Sequence, residues 1–335
     1  MTASVTVFDP LLGADGAEAM LRLAEAFGVY RTYSEERTEQ NYGDLPQRID
    51  AAANYVRSGG RFGRTGEAKA TLADRTNYFR ETYAYGDEVR APGIEPFLHH
   101  EGFLDAARRL HGRDVVVPAI VYANLLLPGQ ELAVHTDVPE FRGANRLHLP
   151  QWLMVVMHHS GCFEDWRMPI ATGVAYFGHA VEGAFAYYPE GVDGPAVALP
   201  VRHDTAVLLD TDSVFHGVDR VGAADAVVPP LGPQPELRFV GAERWELHGA
   251  DPESVDYGWN DLRFSVSWKA YCFADESERR AWVDHADDLT LEVILDRLED
   301  DLRDRGRLAG ARPDPKEFAT VLIGEYVHFP AATTA

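Results

Sequence analysis

The sequence predicts a mainly β protein with flanking helices, built around a double-stranded β-helix of the jelly-roll, cupin-like kind. From Val115 to Val221 the chain breaks into short β-branched and aromatic runs separated by Gly and Pro, the texture of many short strands folded into two sheets. Before that stretch, apolar residues recur at helical spacing. After it, Leu262 to Phe273 reads as one long closing strand, and the chain then returns to a helical pattern.

Residues 1–114 are expected to form a mostly helical region packed on the core. Asp15 to Phe27 places Ala19, Met20, Leu23, Ala26 and Phe27 on one stripe, and Leu45 to Val56 and Phe103 to Leu110 are further helix candidates. Between them RTNYFRETYAYGDEVRAPG, Arg75 to Gly93, reads as a polar and aromatic connection that packs onto the core or, through its Tyr and Arg content, lines a substrate entrance. The jelly-roll core is expected over 115–273. Its strands are Val115 to Leu127, Trp152 to His159, Gly173 to Phe177, Ala184 to Tyr188, Ala196 to Val201, Thr205 to Leu209, Val214 to Val218 and Leu262 to Phe273. An insertion over 222–260, opening near VVPPLGPQPE, interrupts it. The 274–335 region is helical, with Trp282, Leu291, Ile294, Leu295, Leu298 and Leu302 fitting the apolar stripe of one acidic helix from Asp275 to Gly306.

The chain has 335 residues, 46% of them hydrophobic and 25% charged, as expected of a globular protein with a substantial core. No apolar run is long enough to span a bilayer, and the first residues lack a basic stretch followed by an apolar one, so a cytoplasmic protein is expected. Cys162 and Cys272 form no CxxC pair and read as buried free thiols. The formal net charge of −22 opposes broad attraction to nucleic acid or to anionic lipid. It leaves room for a local basic pocket that takes an anionic small molecule.

The chemistry concentrates in three places: VYANLLLPGQELAVHTD (Val121 to Asp137), HGVDRV (His216 to Val221) and LRFSVSW (Leu262 to Trp268). A His-x-Asp triplet alone says little in a chain with 13 His, and His285-Ala286-Asp287 is a second one. Local structure separates the two. On a strand, residues two apart project to one face, so His135 and Asp137 can share an ion; on a helix they diverge by roughly 200°, so His285 and Asp287 cannot readily do so. Pro128-Gly129 supplies a turn just before the first triplet. His216, closing the strand-like run TAVLLDTDSVF, is the expected third ligand, ahead of His158, His159, His179 and His203. Two imidazoles and one carboxylate with coordination positions left open suit non-haem Fe(II) better than a closed structural zinc site. Arg263, with Ser265 two residues on along the same strand face, can grip a carboxylate.

Taken in order, Asn124, Gly129, Leu132, His135 and Asp137, then His216, Gly217, Val218 and Val221, then Arg263, Ser265 and Trp268, resemble the pattern of prolyl-hydroxylase-like Fe(II)/2-oxoglutarate-dependent dioxygenases. The resemblance covers Val115 to Phe273. It implies that His135, Asp137 and His216 bind Fe(II), that Arg263 and Ser265 hold the distal carboxylate of the co-substrate 2-oxoglutarate, that Asn124 lies near it, and that O2 is consumed. It implies hydroxylation of a C–H bond as the default reaction, and the acidic surface with a large insertion able to cover the site points to a small molecule, such as an amino acid or a natural-product intermediate, as substrate.

Two positions depart from the pattern. Leu126 stands where a Tyr is usual, so a phenolic contact is missing or comes from another residue such as Tyr122. The interval from His216 to Arg263 is also long, which requires 222–260 to loop out, where it could cover the site; Arg220 is the other possible anchor. Arg142, Arg146 and Trp152 are the candidates for substrate contact at the barrel mouth. The same residues leave open a cupin-like metalloenzyme that does not use 2-oxoglutarate, and a jelly-roll binding module without catalysis. The oligomeric state is not legible in the sequence.

Overall fold

The computed structural model describes residues 2–33, 41–61, 68–251 and 254–332. The N-terminal region gives β1 (Thr6–Phe8), α1 (Ala14–Phe27), β2 (Val29–Thr32), α2 (Ile49–Ser58), α3 (Lys69–Thr76), β3 (Phe79–Tyr85), β4 (Glu88–Val89), α4 (Glu95–Leu98) and α5 (Glu101–His111). The middle contributes β5 (Val115–Leu126), β6 (Leu132–His135), β7 (Glu140–Phe141), α6 (Gln151–Ser160), β8 (Arg167–Met168), β9 (Ile170–Phe177), β10 (Phe185–Tyr187), β11 (Val197–Leu199), β12 (Thr205–Leu209) and β13 (His216–Val218). Then come β14 (Leu231–Gly241), β15 (Arg244–Ala250), β16 (Val255–Gly258), β17 (Arg263–Phe273), α7 (Glu276–Val283), α8 (Leu291–Asp304) and α9 (Pro315–Tyr326).

Eight strands form the jelly roll. In the major sheet β12, β9, β17 and β5 lie side by side, all antiparallel; in the minor sheet the order is β11, β10, β13, β6. Apart from the β10–β11 hairpin, strands consecutive among the eight thus alternate between the sheets, as in two interleaved Greek keys. Between the sheets Tyr176, Val207 and Leu209 of the major sheet pack against Phe185 and Tyr187 of the minor one. On the outer face of the major sheet, α1 and α5 cover a core that includes Phe97, Phe103 and Trp268, whose indole N–H donates to Leu98 O at 2.8 Å.

Four expectations need correction. The N-terminal region is not only helical: β3 pairs with β5, β2 with β3, and β1 with β12, so it widens the major sheet. The 222–260 insertion does not lie over the barrel. β14, β15 and β16 form an antiparallel meander that joins the same sheet through β2. QWLMVVMHHS is a helix rather than a strand. It is buried on nearly all sides against α8 and α9 and stopped by Gly161 at φ 70°. The single acidic helix of the C-terminal region is two, α7 and α8, broken between Asp284 and Thr290. His285 and Asp287 lie in that break, where His285 meets Asp288 at 2.8 Å and Asp287 meets Arg142 at 2.7 Å. Among the described residues no helix is long and apolar enough to cross a membrane.

Candidate metal centre and co-substrate cavity

The site begins with strand periodicity. On β17 the positions Arg263, Ser265, Ser267 and Lys269 share one face. The register carries that face sideways: Ser265 lies opposite Asn124 of β5 and Tyr176 of β9, and Asn124 lies opposite Arg80 of β3. This inner face of the major sheet looks across a cavity to Leu132 and His135 of β6, Phe185 of β10, and His216 and Val218 of β13. Tyr78, Arg80, Tyr122, Asn124, Leu126, Arg263, Ser265 and Ser267 line the major-sheet wall.

The minor sheet brings the metal ligands together. β6 and β13 pair with His135 opposite His216, and the chain then carries Asp137 to the same point, its N–H donating to Thr211 O at 2.8 Å. Two features fix this geometry. In the turn before β6, a Cβ on Gly129 (φ 89°) would come within 2.7 Å of Val228 N, and the buried Gln130 side chain donates to Asn77 O at 2.8 Å. On β13, a Cβ on Gly217 would come within 2.8 Å of Leu132 O, so only glycine lets the two strands approach.

One ligand atom each from His135, Asp137 and His216 lies within 4.8 Å of the others. Asp137 Oδ1 is 3.4 Å from His135 Nε2 and 3.7 Å from His216 Nε2. Each imidazole has its Nδ1 beside a backbone carbonyl, His135 at 2.7 Å from Ala133 O and His216 at 2.9 Å from Val214 O. A carbonyl only accepts, so Nδ1 carries the proton and the Nε2 lone pair points into the site, as a metal ligand requires. Burial, helped by His135, lowers the His216 pKa to about 4 and keeps the ring neutral. Burial alone would raise the Asp137 carboxyl, but the Lys269 ammonium outweighs it and holds it well below the usual range. Lys269 Nζ donates to Asp137 Oδ2 at 2.7 Å, which leaves Oδ1 turned towards the imidazoles. The donor set fits a divalent ion with open positions. Among the described residues no other group of His, Cys, Asp and Glu has metal-ligand geometry.

At the other end of β17, Arg263 is 2% exposed. Its Nε donates to Gly183 O at 2.7 Å and its Nη1 to Ser265 Oγ at 3.2 Å, while Nη2 is buried with no partner. Burial lowers its pKa, and the Tyr176 ring, 5.2 Å from the guanidinium carbon, offers a polarisable face and no counter-charge. A buried guanidinium with a spare donor turned to a cavity is an anion site. Asn124 donates to Ser267 Oγ at 3.4 Å and leaves its own Oδ1 without a partner. Tyr122 lines the cavity beneath the guanidinium of Arg80, 3.5 Å from its ring centre.

The cavity gathers His135, Asp137, His216, Arg263, Ser265, Asn124 and Tyr122. It does not gather Arg142, Arg146 or Trp152. Arg142 is bound to Asp287, Arg146 lies near Tyr271, and Trp152 is fully buried among α6, α8 and α9. Leu126 does line the cavity, where Tyr78 stands beside it, whereas Arg220 does not. Sequence reasoning missed Lys269 and Ser267 outright, while Arg80 and Tyr78 fall in the Arg75 to Gly93 stretch whose Tyr and Arg content could line a substrate entrance. A signal existed for the first two: Arg-x-Ser-x-Ser-x-Lys on one strand continues the Arg263–Ser265 face to Ser267 and Lys269.

No family model matches the chain, and no curated protein matches it. Among solved structures it is similar to SnoK, a non-haem α-ketoglutarate-dependent carbocyclase from nogalamycin biosynthesis, with a TM-score of 0.42 and 11% identity over 81% of this chain and 80% of that one. It is similar to HygX from Streptomyces hygroscopicus, solved with nickel, 2-oxoglutarate and hygromycin B, with a TM-score of 0.40 and 10% identity over 81% and 84%. It is also similar to a Pseudomonas putida prolyl-4-hydroxylase, with a TM-score of 0.38 and 13% identity over 81% and 94%.

Proposed function

We propose that this protein is a non-haem Fe(II)- and 2-oxoglutarate-dependent dioxygenase that oxidises a C–H bond of a small molecule, with hydroxylation as the default outcome. One observation carries the reading: a His-Asp-His set with free Nε2 lone pairs shares a single cavity with a buried arginine that has an unused donor. A metal site alone would fit many enzymes. The guanidinium opposite it adds the anchor that a dicarboxylate co-substrate needs.

His135, Asp137 and His216 would hold Fe(II), which, with 2-oxoglutarate and O2, supplies the oxidising equivalent as 2-oxoglutarate leaves as succinate and CO2. Arg263 and Ser265 orient the distal carboxylate. The backbone carbonyls of Ala133 and Val214 keep each imidazole in the binding tautomer. Lys269 holds the outer oxygen of Asp137 and so presents the inner one. Leu126, Leu132, Val174, Phe185 and Val218 line the space between the poles and limit access of water to it.

The test is an anaerobic titration of the metal-free protein with Fe(II) and then 2-oxoglutarate, following the weak visible charge-transfer band in wild type, His216→Ala and Arg263→Ala. The expected result is a band that needs His216 and weakens without Arg263. Bound iron with no band on adding 2-oxoglutarate would favour a cupin-like metalloenzyme with another co-substrate. Absence of iron binding would leave a jelly-roll binding module.

A further inference from the structure

The chain carries 53 acidic residues against 31 basic ones, and its arginines mostly sit against carboxylates. Arg31 meets Glu81 and Glu236, Arg48 meets Asp50, Arg142 meets Asp287, and Arg167 meets Asp210. Arg80 lines the cavity, and among the described residues it has neither an acidic partner nor a hydrogen bond. It is held by rings instead. Its guanidinium carbon lies 3.5 Å from the centre of the Tyr122 ring and 4.8 Å from that of Tyr33, which itself stacks on Tyr78 at 6.0 Å. Ring contacts occupy the faces of a guanidinium and leave the N–H groups on its edge free, the part that binds a carboxylate with two parallel hydrogen bonds.

Charge and distance agree. Three cationic side chains, Arg80, Arg263 and Lys269, are gathered around one carboxylate, Asp137, which Lys269 already holds. Arg263 is assigned to the co-substrate, so Arg80 is the cation left over. Arg80 sits on β3 and Arg263 on β17, with β5 between them, which separates the two backbones by about 10 Å at the usual strand spacing. That interval allows two different anions to be bound, one at each arginine, with the metal ligands on the facing sheet.

We propose that Arg80, presented by the Tyr33, Tyr78 and Tyr122 rings, is the anchor for a carboxylate group on the primary substrate, which is therefore an anionic small molecule with an apolar or aromatic body. This rests on the dioxygenase reading for the words primary substrate. The anion site itself does not.

The probe is 3-phenylpropanoate, with its uncharged carboxamide as the matched control. Equilibrium dialysis with Zn(II) and 2-oxoglutarate present would compare wild type, Arg80→Gln and Arg80→Lys, with the 2-oxoglutarate Kd of each protein measured alongside. The expected result is a carboxylate preference of about tenfold or more in wild type, as a charge-assisted pair implies. It is lost in Arg80→Gln and reduced in Arg80→Lys, while the 2-oxoglutarate Kd moves less than about twofold. Three results overturn the proposal: no preference in wild type, a preference that survives Arg80→Gln, or a loss of 2-oxoglutarate affinity as large as the loss for the probe, which would give Arg80 to the co-substrate. If Arg80→Gln fails to fold, Arg80→Lys decides alone, and an unchanged preference sinks the idea. Failure of the dioxygenase reading looks different: 2-oxoglutarate then binds no variant, while the Arg80-dependent carboxylate preference remains.

Discussion

Replacing Lys269 with Met removes the ammonium that faces Asp137 and keeps an unbranched side chain of similar reach. The two groups meet at 2.7 Å with side chains only 16% and 20% exposed, so the pair is largely desolvated. Truncating one partner of such a pair strands the other charge, at a cost of about 3–5 kcal/mol. Asp212, raised to about 7 by burial with Asp210 and Asp137 adding to it, loses an opposing cation in the variant and escapes by taking a proton, so the cost falls on Asp137. With an unfolding entropy of about 2.1 cal/mol/K per residue, a chain of 335 residues loses about 4–7 °C of Tm for that range. A divalent ion at the triad restores the missing positive charge. Differential scanning fluorimetry of both proteins, metal-free and with saturating Mn(II), should therefore show the deficit shrinking to below about 2 °C with the ion, because stabilisation grows with the logarithm of affinity and the variant's unpaired Asp137 carboxylate binds the ion more tightly. An equal deficit with and without Mn(II) would mean that Lys269 contributes packing only, and no deficit without metal would refute the dependence of Asp137 on it.

Gly217→Ala should push β13 away from β6 and weaken Mn(II) binding by about tenfold or more, the scale of losses when ligand positioning is disturbed; isothermal titration calorimetry reads it directly. Trp152→Ala should cost about 3–5 kcal/mol in denaturant unfolding, whereas Arg142→Ala should be mild, and neither should change the 2-oxoglutarate Kd. His159, whose pKa burial and then His158 lower from 6.5 to about 4, makes wild type lose stability as pH falls through that window, because the unfolded chain takes up the proton first. His159→Phe, which keeps the stack on Phe215, should reduce that slope by up to about 1.4 kcal/mol per pH unit; an unchanged slope between pH 6.5 and 4 would rule His159 out as the source.

The strands that carry chemistry were legible because alternation on a strand is a geometric fact. His135 and Asp137, or Arg263 and Ser265, share a face wherever a strand forms, and short runs between Gly and Pro mark the strands. Trp152 was misplaced because WLMVVM is apolar throughout, and a segment buried on every side has no period to separate helix from strand. The 222–260 segment read as a loop because VVPPLGPQPE is rich in Pro, yet β14 pairs with β15 and β2, and Pro233 and Pro235 fall between the paired residues Leu231 and Glu236, where the register shifts. Arg80 was only partly legible, as one of the Tyr and Arg residues of a possible entrance lining, for a different reason. It acts from a strand outside the eight of the jelly roll, and only the pairing of β3 with β5 brings it opposite Asn124. Pairings between strands distant in sequence are set by the tertiary fold, which local patterns do not encode.

The cationic cavity lies inside a chain whose net charge is −22. An approaching anion therefore crosses two opposed fields, repelled over the outer surface and attracted within reach of Arg80 and Arg263. At physiological salt, charges more than about 8 Å apart are largely screened from each other when exposed to solvent, while buried groups are screened far less. Added salt thus lowers the outer barrier more than it weakens the inner hold. Capture of an anionic ligand should quicken with ionic strength while its residence time changes little, the reverse of electrostatically steered association between opposite charges.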